Sequence, residues 1–301
     1  MTQWTGSAPA GRTAYVNGRY VPHGQAGVHI EDRGLQFGDS IYEVCGLFDG
    51  RLTDEEPHLD RLERSLGETR MTMPLSRTAL KLVMRELVRR NGVRDGLLYL
   101  QVTRGAFRRD HPIPKTKSRP TLVMTVRAMD PAVTRAKREH GIAVITQADE
   151  RWARCDIKTT QLLANVLAKT AAREEGAYEA WLVDDEGFVT EGTSTNAWIV
   201  TASGEIVTRN LSHAILPGVT RQVILAAAAE AQLTVKERKF TLQEAHTAKE
   251  AFISSATGAA IPVVNIDANI IGDGKPGALT RRIFELYAAK SGIAKAPGSA
   301  L

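Results

Sequence analysis

Strand-like apolar runs and segments of helical period alternate along the chain, on both sides of one break at Ala128-Met129-Asp130-Pro131. The mixture predicts an α+β fold in each half. Before the break, Ala14 to Val21 reads as a hairpin, because Asn17-Gly18 supplies the two positive φ angles of a type I′ turn. A second hairpin spans about Ile41 to Thr53 and turns at Asp49-Gly50. Leu59, Leu62 and Leu66 fall at helical spacing, as do Leu80, Val83, Met84 and Leu87 ahead of Asn91-Gly92. Leu97 to Thr103 and Thr121 to Arg127 are strand-like. Pro131 interrupts the pattern, so the expected domains are residues 1–130 and 131–301. Beyond it, Gly141 to Gln147 opens a new strand set, and a helix from Thr160 to Glu175 is closed by Gly176. Short strands are expected at Glu179 to Val183, Phe188 to Thr190, Asn196 to Thr201 and Glu205 to Thr208. Helices are expected at Thr220 to Ala231 and Gly277 to Lys290.

Composition narrows the function classes. With 43% hydrophobic and 24% charged residues in 301, the chain has no disordered signature. The net charge of +5 is spread among acids without a block of five like charges, which argues against nucleic acid and for an anionic small ligand. Cys45 and Cys155 make no metal-binding spacing and no disulfide framework. Met1 to Arg12 lacks an apolar leader and no 18-residue apolar window occurs, so a cytoplasmic protein without a membrane span is expected.

The chemistry is read from Lys158, in Arg154-Cys155-Asp156-Ile157-Lys158-Thr159-Thr160, and from Glu191, 33 positions later in Thr190-Glu191-Gly192-Thr193-Ser194-Thr195-Asn196. A lysine able to form a Schiff base and a carboxylate able to face a pyridine nitrogen are the minimal protein contribution to pyridoxal phosphate chemistry. Partial burial between Ile157 and Thr159 would depress the lysine's pKa and leave more of it nucleophilic. The carboxylate would keep a proton on the ring nitrogen, with Asn196 and the hydroxyls of Thr193, Ser194 and Thr195 ordering the loop. A phosphate needs backbone N–H groups at a helix start. Leu216-Pro217-Gly218-Val219-Thr220-Arg221 supplies them, as does Ser254-Ser255-Ala256-Thr257-Gly258. Ordinary N-capping by Thr220 explains the first loop equally well. Arg61 adds charge for a dianion.

Five separated stretches then resemble the class IV, fold-type IV aminotransferases. They are Asp32 to Val44 (DRGLQFGDSIYEV), Arg154 to Lys158, Thr190-Glu191-Gly192, Gly218-Val219-Thr220-Arg221 and Phe252-Ile253-Ser254-Ser255. The resemblance runs from about Tyr15 to Tyr287. It implies a two-domain α+β fold, with a smaller N-terminal α/β sandwich and a larger C-terminal pseudo-barrel that binds pyridoxal 5′-phosphate. It also implies a homodimer. Lys158 becomes the cofactor-bonding lysine and proton shuttle, and Glu191 the partner of the pyridine nitrogen. Arg61, Val219 and Thr220 become phosphate ligands, with Ser194, Thr195, Ser255, Ala256 and Thr257 also at the cofactor.

Thr103 to His111 (TRGAFRRDH) is similar to the Arg-x-His loop of the family's D-amino-acid transaminases. There the pair matching Arg109 and His111, reaching over from the partner subunit, and a tyrosine matching Tyr42 hold the substrate carboxylate, as donor geometry allows. The implied activity is transfer of an amino group from D-alanine-like donors to a 2-oxo acid. An L-branched-chain or (R)-amine transaminase and an aminodeoxychorismate-type lyase are the alternatives. Three departures stand out: Ala256 where a threonine is expected, Ala259-Ala260 in place of more polar residues, and Arg108 beside Arg109.

Overall fold

The computed structural model describes residues 11–116 and 119–293, so most of the polar N-terminal segment read for a leader lies outside the described residues. The chain divides into two compact units. The first is Met1–Met129 together with Ile157–Gln161, and the second is Asp130–Asp156 together with Leu162–Leu301.

The first unit is built on six antiparallel strands. In chain order its elements are β1 (Thr13–Val16), β2 (Arg19–Pro22), α1 (Arg33–Phe37), β3 (Ser40–Phe48), β4 (Arg51–Leu52), α2 (Glu55–Glu68), α3 (Arg77–Asn91), β5 (Gly96–Thr103) and β6 (Thr121–Ala128). The strand order is β2-β1-β6-β5-β3-β4. Asn17 and Gly18 have φ of 47° and 91°, and Asp49 and Gly50 have 47° and 78°, so both hairpins turn where the sequence placed them. Ser76 accepts a bond from the Ala79 N–H to start α3, and left-handed Gly92 ends it. Leu59, Leu62 and Leu66 of α2 and Leu80, Met84 and Leu87 of α3 pack on Ile41, Leu98, Leu100 and Met124 of the sheet. Because side chains alternate along a strand, Ile41, Glu43 and Cys45 face these helices while Tyr42 and Val44 face away.

The segment Ile157–Gln161 joins this unit at the start of β3. Thr159 bridges Ile41, the Tyr42 N–H donates to Lys158 O at 3.0 Å, and the Thr160 N–H donates to Ser40 O at 3.3 Å. The helix expected from Thr160 begins later, at Leu163: Thr160 pairs with the start of β3, and Gln161 Nε2 donates to Phe37 O at 3.2 Å.

The second unit carries a nine-stranded mixed sheet, with order β12-β11-β10-β13-β14-β7-β8-β9 and β15 paired to β14. Its elements run α4 (Pro131–His140), β7 (Ile142–Ala148), α5 (Leu163–Glu174), β8 (Glu179–Val183), β9 (Val189–Gly192), β10 (Asn196–Val200), β11 (Ile206–Thr208) and α6 (Val219–Glu230). They continue with β12 (Val235–Glu237), α7 (Leu242–His246), β13 (Glu250–Ser255), β14 (Ala259–Ile266), β15 (Asn269–Ile270) and α8 (Ala278–Lys290). Trp198 and Phe252 stack at 5.2 Å and pack with Ile224 and Ala228 of α6 and Ile283 and Tyr287 of α8. At Asp130-Pro131 the second unit opens on α4: Asp130 accepts the Ala132 N–H as N-cap, and Pro131 takes the first helical position, where its missing N–H costs nothing. Among the described residues no helix is long and apolar enough to cross a membrane.

Candidate active site

The sequence-predicted residues fall in both units. In the first unit, the Lys158 ammonium lies over the Tyr42 ring at 4.1 Å from its centroid. Tyr42 in turn stacks on Tyr99 at 5.7 Å. Burial raises the Tyr99 phenol to about 12, so it stays neutral and donates to Gln101 Oε1 at 2.9 Å. Gln101 Nε2 donates to Ser40 Oγ, and that hydroxyl also bonds Thr160 Oγ1. The lysine is thus fixed by its backbone to β3, with its half-buried side chain running across an aromatic face. A cation over such a face gains about 0.5–2 kcal/mol.

Arg61 is buried on α2. Its Nε and Nη2 both donate to Glu43, at 2.8 Å each, and His58 Nδ1 lies 2.7 Å from the same carboxylate. Burial pushes the Glu43 carboxyl up, but Arg61 and His58 outweigh it and hold it down at about 2. Neither Glu43 nor His58 was singled out in the sequence, because the contact links a strand to a helix across 15 to 18 positions.

Arg109 and His111 are exposed in the turn after β5. The Arg109 guanidinium lies 5.2 Å from the Phe37 ring centroid, and the His111 ring lies 5.5 Å from the same ring. The His111 N–H donates to Asp110 Oδ1 at 2.8 Å, and among the described residues neither the Arg109 nor the His111 side chain forms an ion pair.

In the second unit, Glu191 is buried on β9 and its carboxylate is fully engaged. It accepts from Arg151 Nη1 at 2.5 Å, Asn196 Nδ2 at 3.0 Å and the Leu216 N–H at 3.1 Å. Burial nevertheless keeps its carboxyl above the ordinary range, with Arg151 opposing. Arg151 is held by Asp149 through Nε and Nη2 at 2.8 and 2.7 Å, and Asp149 also accepts from Thr190 Oγ1. This support was missed in the sequence. Its only local signal is the Asp149-x-Arg151 spacing.

Asn196 joins the parts. Besides Glu191 it donates to Leu216 O at 3.1 Å, and its backbone pairs opposite Ser254 on β13. The carboxylate and both proposed anion loops therefore converge on one strand start. Gly218 is required there: an added Cβ would lie 2.0 Å from Asn196 Oδ1. The hydroxyls of Thr193, Ser194 and Thr195 turn to one buried carboxylate, Glu179, which also meets Lys169 Nζ at 3.1 Å. Ser194 and Thr195 are thus loop fasteners in this structure.

The twelve-residue helix α6 starts at Gly218 with no side-chain cap. Thr220 lies inside the helix, so the capping explanation does not hold, and its buried hydroxyl has no hydrogen-bond partner. An uncapped helix N-terminus with an orphaned buried hydroxyl is a fit for an anionic group. In the second loop, Ser255 Oγ accepts the Gly258 N–H at 3.2 Å, while Ala256 and Thr257 occupy the half-buried turn.

The fold and this arrangement define a transaminase of known type: the class IV aminotransferase family matches residues 40–266, and the chain belongs to it. Its cofactor is pyridoxal 5′-phosphate. The chain is 40% identical over 267 residues to a D-alanine aminotransferase of Bacillus licheniformis, covering 89% of this chain and 93% of that one. It is 39% identical over 273 residues to a D-alanine aminotransferase of Listeria monocytogenes serotype 4b (strain F2365), covering 90% and 93%. Among solved structures, the branched-chain amino acid aminotransferase of Escherichia coli superposes with a TM-score of 0.84 over 96% of this chain and 97% of that one, and at 22% identity it shares the fold.

Proposed function

We propose that the protein is a homodimeric transaminase that moves the amino group of D-alanine-like amino acids to a 2-oxo acid such as pyruvate or 2-oxoglutarate. The observation that carries this reading is the exposed Arg109 and His111 pair, whose side chains form no ion pair among the described residues and rest on one aromatic ring. A guanidinium fork with an imidazole beside it suits a substrate α-carboxylate.

In this reading the bound pyridoxal phosphate supplies an electron sink for the substrate carbanion. Lys158 Nζ would take the proton from the substrate Cα and deliver one to the C4′ carbon of the cofactor, general acid–base work worth about 10²–10⁴-fold. Glu191, whose carboxyl burial raises against the opposing pull of Arg151, would hold a proton at the pyridine nitrogen. The α6 N-terminus at Val219 and Thr220 holds phosphate oxygens, with Ser255, Ala256 and Thr257 in the second loop and Arg61, oriented by Glu43, adding charge. Tyr42, Arg109 and His111 bind the substrate carboxylate. Leu163, Val166 and Leu167 expose apolar side chains on one face of α5, which supports a dimer. Two free thiols, Cys45 and Cys155, suit a cytoplasmic location.

The test is the visible absorption band of the cofactor-loaded enzyme during separate additions of D-alanine and L-leucine. Loss of the band with D-alanine alone supports the proposal. Loss with L-leucine alone points to a branched-chain enzyme, and catalytic pyruvate release without any amino acceptor points to a lyase. Sedimentation equilibrium showing a monomer at micromolar concentration would remove the dimer.

A further inference from the structure

The turn that carries Arg109 and His111 is fastened unevenly. Its first residues dock by backbone on the segment before β3. The Arg33 N–H donates to Gly105 O at 3.0 Å, the Phe107 N–H donates to Glu31 O at 3.2 Å, and Asp32 bridges Ala106. From Arg108 to Thr116 no backbone–backbone bond is found among the described residues. The turn is held there by a side chain. Arg33 is only 4% exposed, and it donates through Nη1 to Asp110 O at 2.6 Å and through Nη2 to His111 O at 3.1 Å. Its third nitrogen, Nε, donates to Asp39 Oδ2 at 2.8 Å. Asp39 is shared with Arg104, which is bound to it through Nε and Nη2. The anchor is therefore rigid: a buried guanidinium locked at one end to the residue preceding β3, with its other two corners on consecutive carbonyls of the turn.

The same guanidinium stacks on Phe37 at 4.6 Å, and Phe37 is the ring that Arg109 and His111 both rest on. Arg108, next in sequence, makes no contact of this kind among the described residues. One ring and one buried arginine thus select Arg109 over Arg108 and fix its spacing from His111.

We propose that Arg33 and Phe37 are positioning residues that set the geometry of the Arg109/His111 carboxylate site without touching the substrate. The proposal rests on the reading of Arg109 and His111 as carboxylate ligands. A mobile turn would still offer the same charges, but it would lose orientation, which is where a bidentate contact gains its strength. The expected signature is a selective one: KM for D-alanine rises while kcat at saturation and the cofactor band are retained.

The experiment measures D-alanine kinetics on the cofactor-loaded enzyme for Arg109→Ala, Arg33→Met, Phe37→Leu, Phe37→Tyr and the double variant Arg33→Met/Arg109→Ala. Losing hydrogen bonds from a charged group corresponds to about 10- to 100-fold in KM. Arg33→Met and Phe37→Leu are expected to raise KM in that range with kcat within about 3-fold of the parent, and Phe37→Tyr to stay near it. The double variant should lose less than the two single variants together, because once Arg109 is gone only His111 is left for Arg33 to position. If Arg33→Met loses the cofactor band, Phe37→Leu decides, since it leaves every Arg33 hydrogen bond in place. Unchanged KM in Phe37→Leu, or fully additive losses in the double variant, overturns the positioning role. Arg109→Ala with unchanged KM instead overturns the carboxylate reading beneath it.

Discussion

Replacing Glu43 by Gln isolates the buried ion pair at the heart of the first unit. The carboxyl has an ordinary value of 4.5 and is held at about 2 in the folded protein. The difference corresponds to roughly 3 kcal/mol of folding stability near neutral pH. The sign follows from the direction: a lowered carboxyl stabilises fully above its unfolded pKa, and the contribution fades as pH falls from about 4.5 through about 2. By about pH 3.5 about 1.4 kcal/mol has gone, because the unfolded carboxyl is then mostly protonated and the folded one is not. In Glu43→Gln that titration is absent, and Arg61 is left as a buried cation without its partner, a loss of about 3–5 kcal/mol at neutral pH. Urea unfolding of parent and variant, followed by circular dichroism at about pH 7, 5 and 3.5, gives the gap between them directly. The gap should be nearly equal at the two higher values and smaller by about 1 kcal/mol at the lowest. A gap that stays constant or widens on acidification would refute the claim that Glu43 is ionised in the fold.

Four further outcomes follow from the geometry. Lys158→Ala should still bind the cofactor noncovalently but lose about 10²-fold or more in turnover, read by steady-state rates, and a fully active variant removes it as the base. Thr220→Val should leave the cofactor-free protein as stable as before, since the hydroxyl has no partner, while weakening phosphate binding about 10- to 100-fold in a cofactor titration. A loss of stability without the cofactor would show that the hydroxyl is satisfied by protein. Arg151→Met removes the cation that opposes burial at Glu191, so that carboxyl should rise further and the acidic limb of the pH–rate profile should move to higher pH. An unmoved limb would show that Arg151 does not keep Glu191 charged. Gly218→Ala should cut cofactor affinity by forcing the added methyl against Asn196 Oδ1, and unchanged affinity would show that the strand start yields freely.

What the sequence made legible was local. Asn17-Gly18 and Asp49-Gly50 announce their turns because only a few residues tolerate positive φ, and Gly92 ends α3 for the same reason. At Asp130-Pro131 the proline stands at a helix start, which the acidic cap directly before it signals. The α-helical reading of Thr160 failed because pairing with β3 lies far away in sequence. The strands β13 and β14 went unassigned, since fully buried strands show no alternation. The candidate site divides the same way. Lys158 and Glu191 stand out as types at a spacing, whereas Arg151, Glu179, Glu43 and Arg33 act through partners that only the tertiary fold supplies.

The passage of Ile157–Gln161 into the first unit has a consequence for biosynthesis. A chain emerging from the ribosome completes residues 1–129 well before residue 161 appears. Until then the start of β3 lacks the strand that pairs with Ser40, Ile41 and Tyr42, and an open strand edge is a template for wrong partners. The nascent first unit therefore carries an unfinished edge through the synthesis of about thirty residues of the second. Lys158, the proposed base, arrives on the very piece that closes it, so on that proposal maturation of the edge and installation of the chemistry are one event. Splitting the gene at residue 129 would separate them, leaving an N-terminal fragment with an unguarded edge and without Lys158.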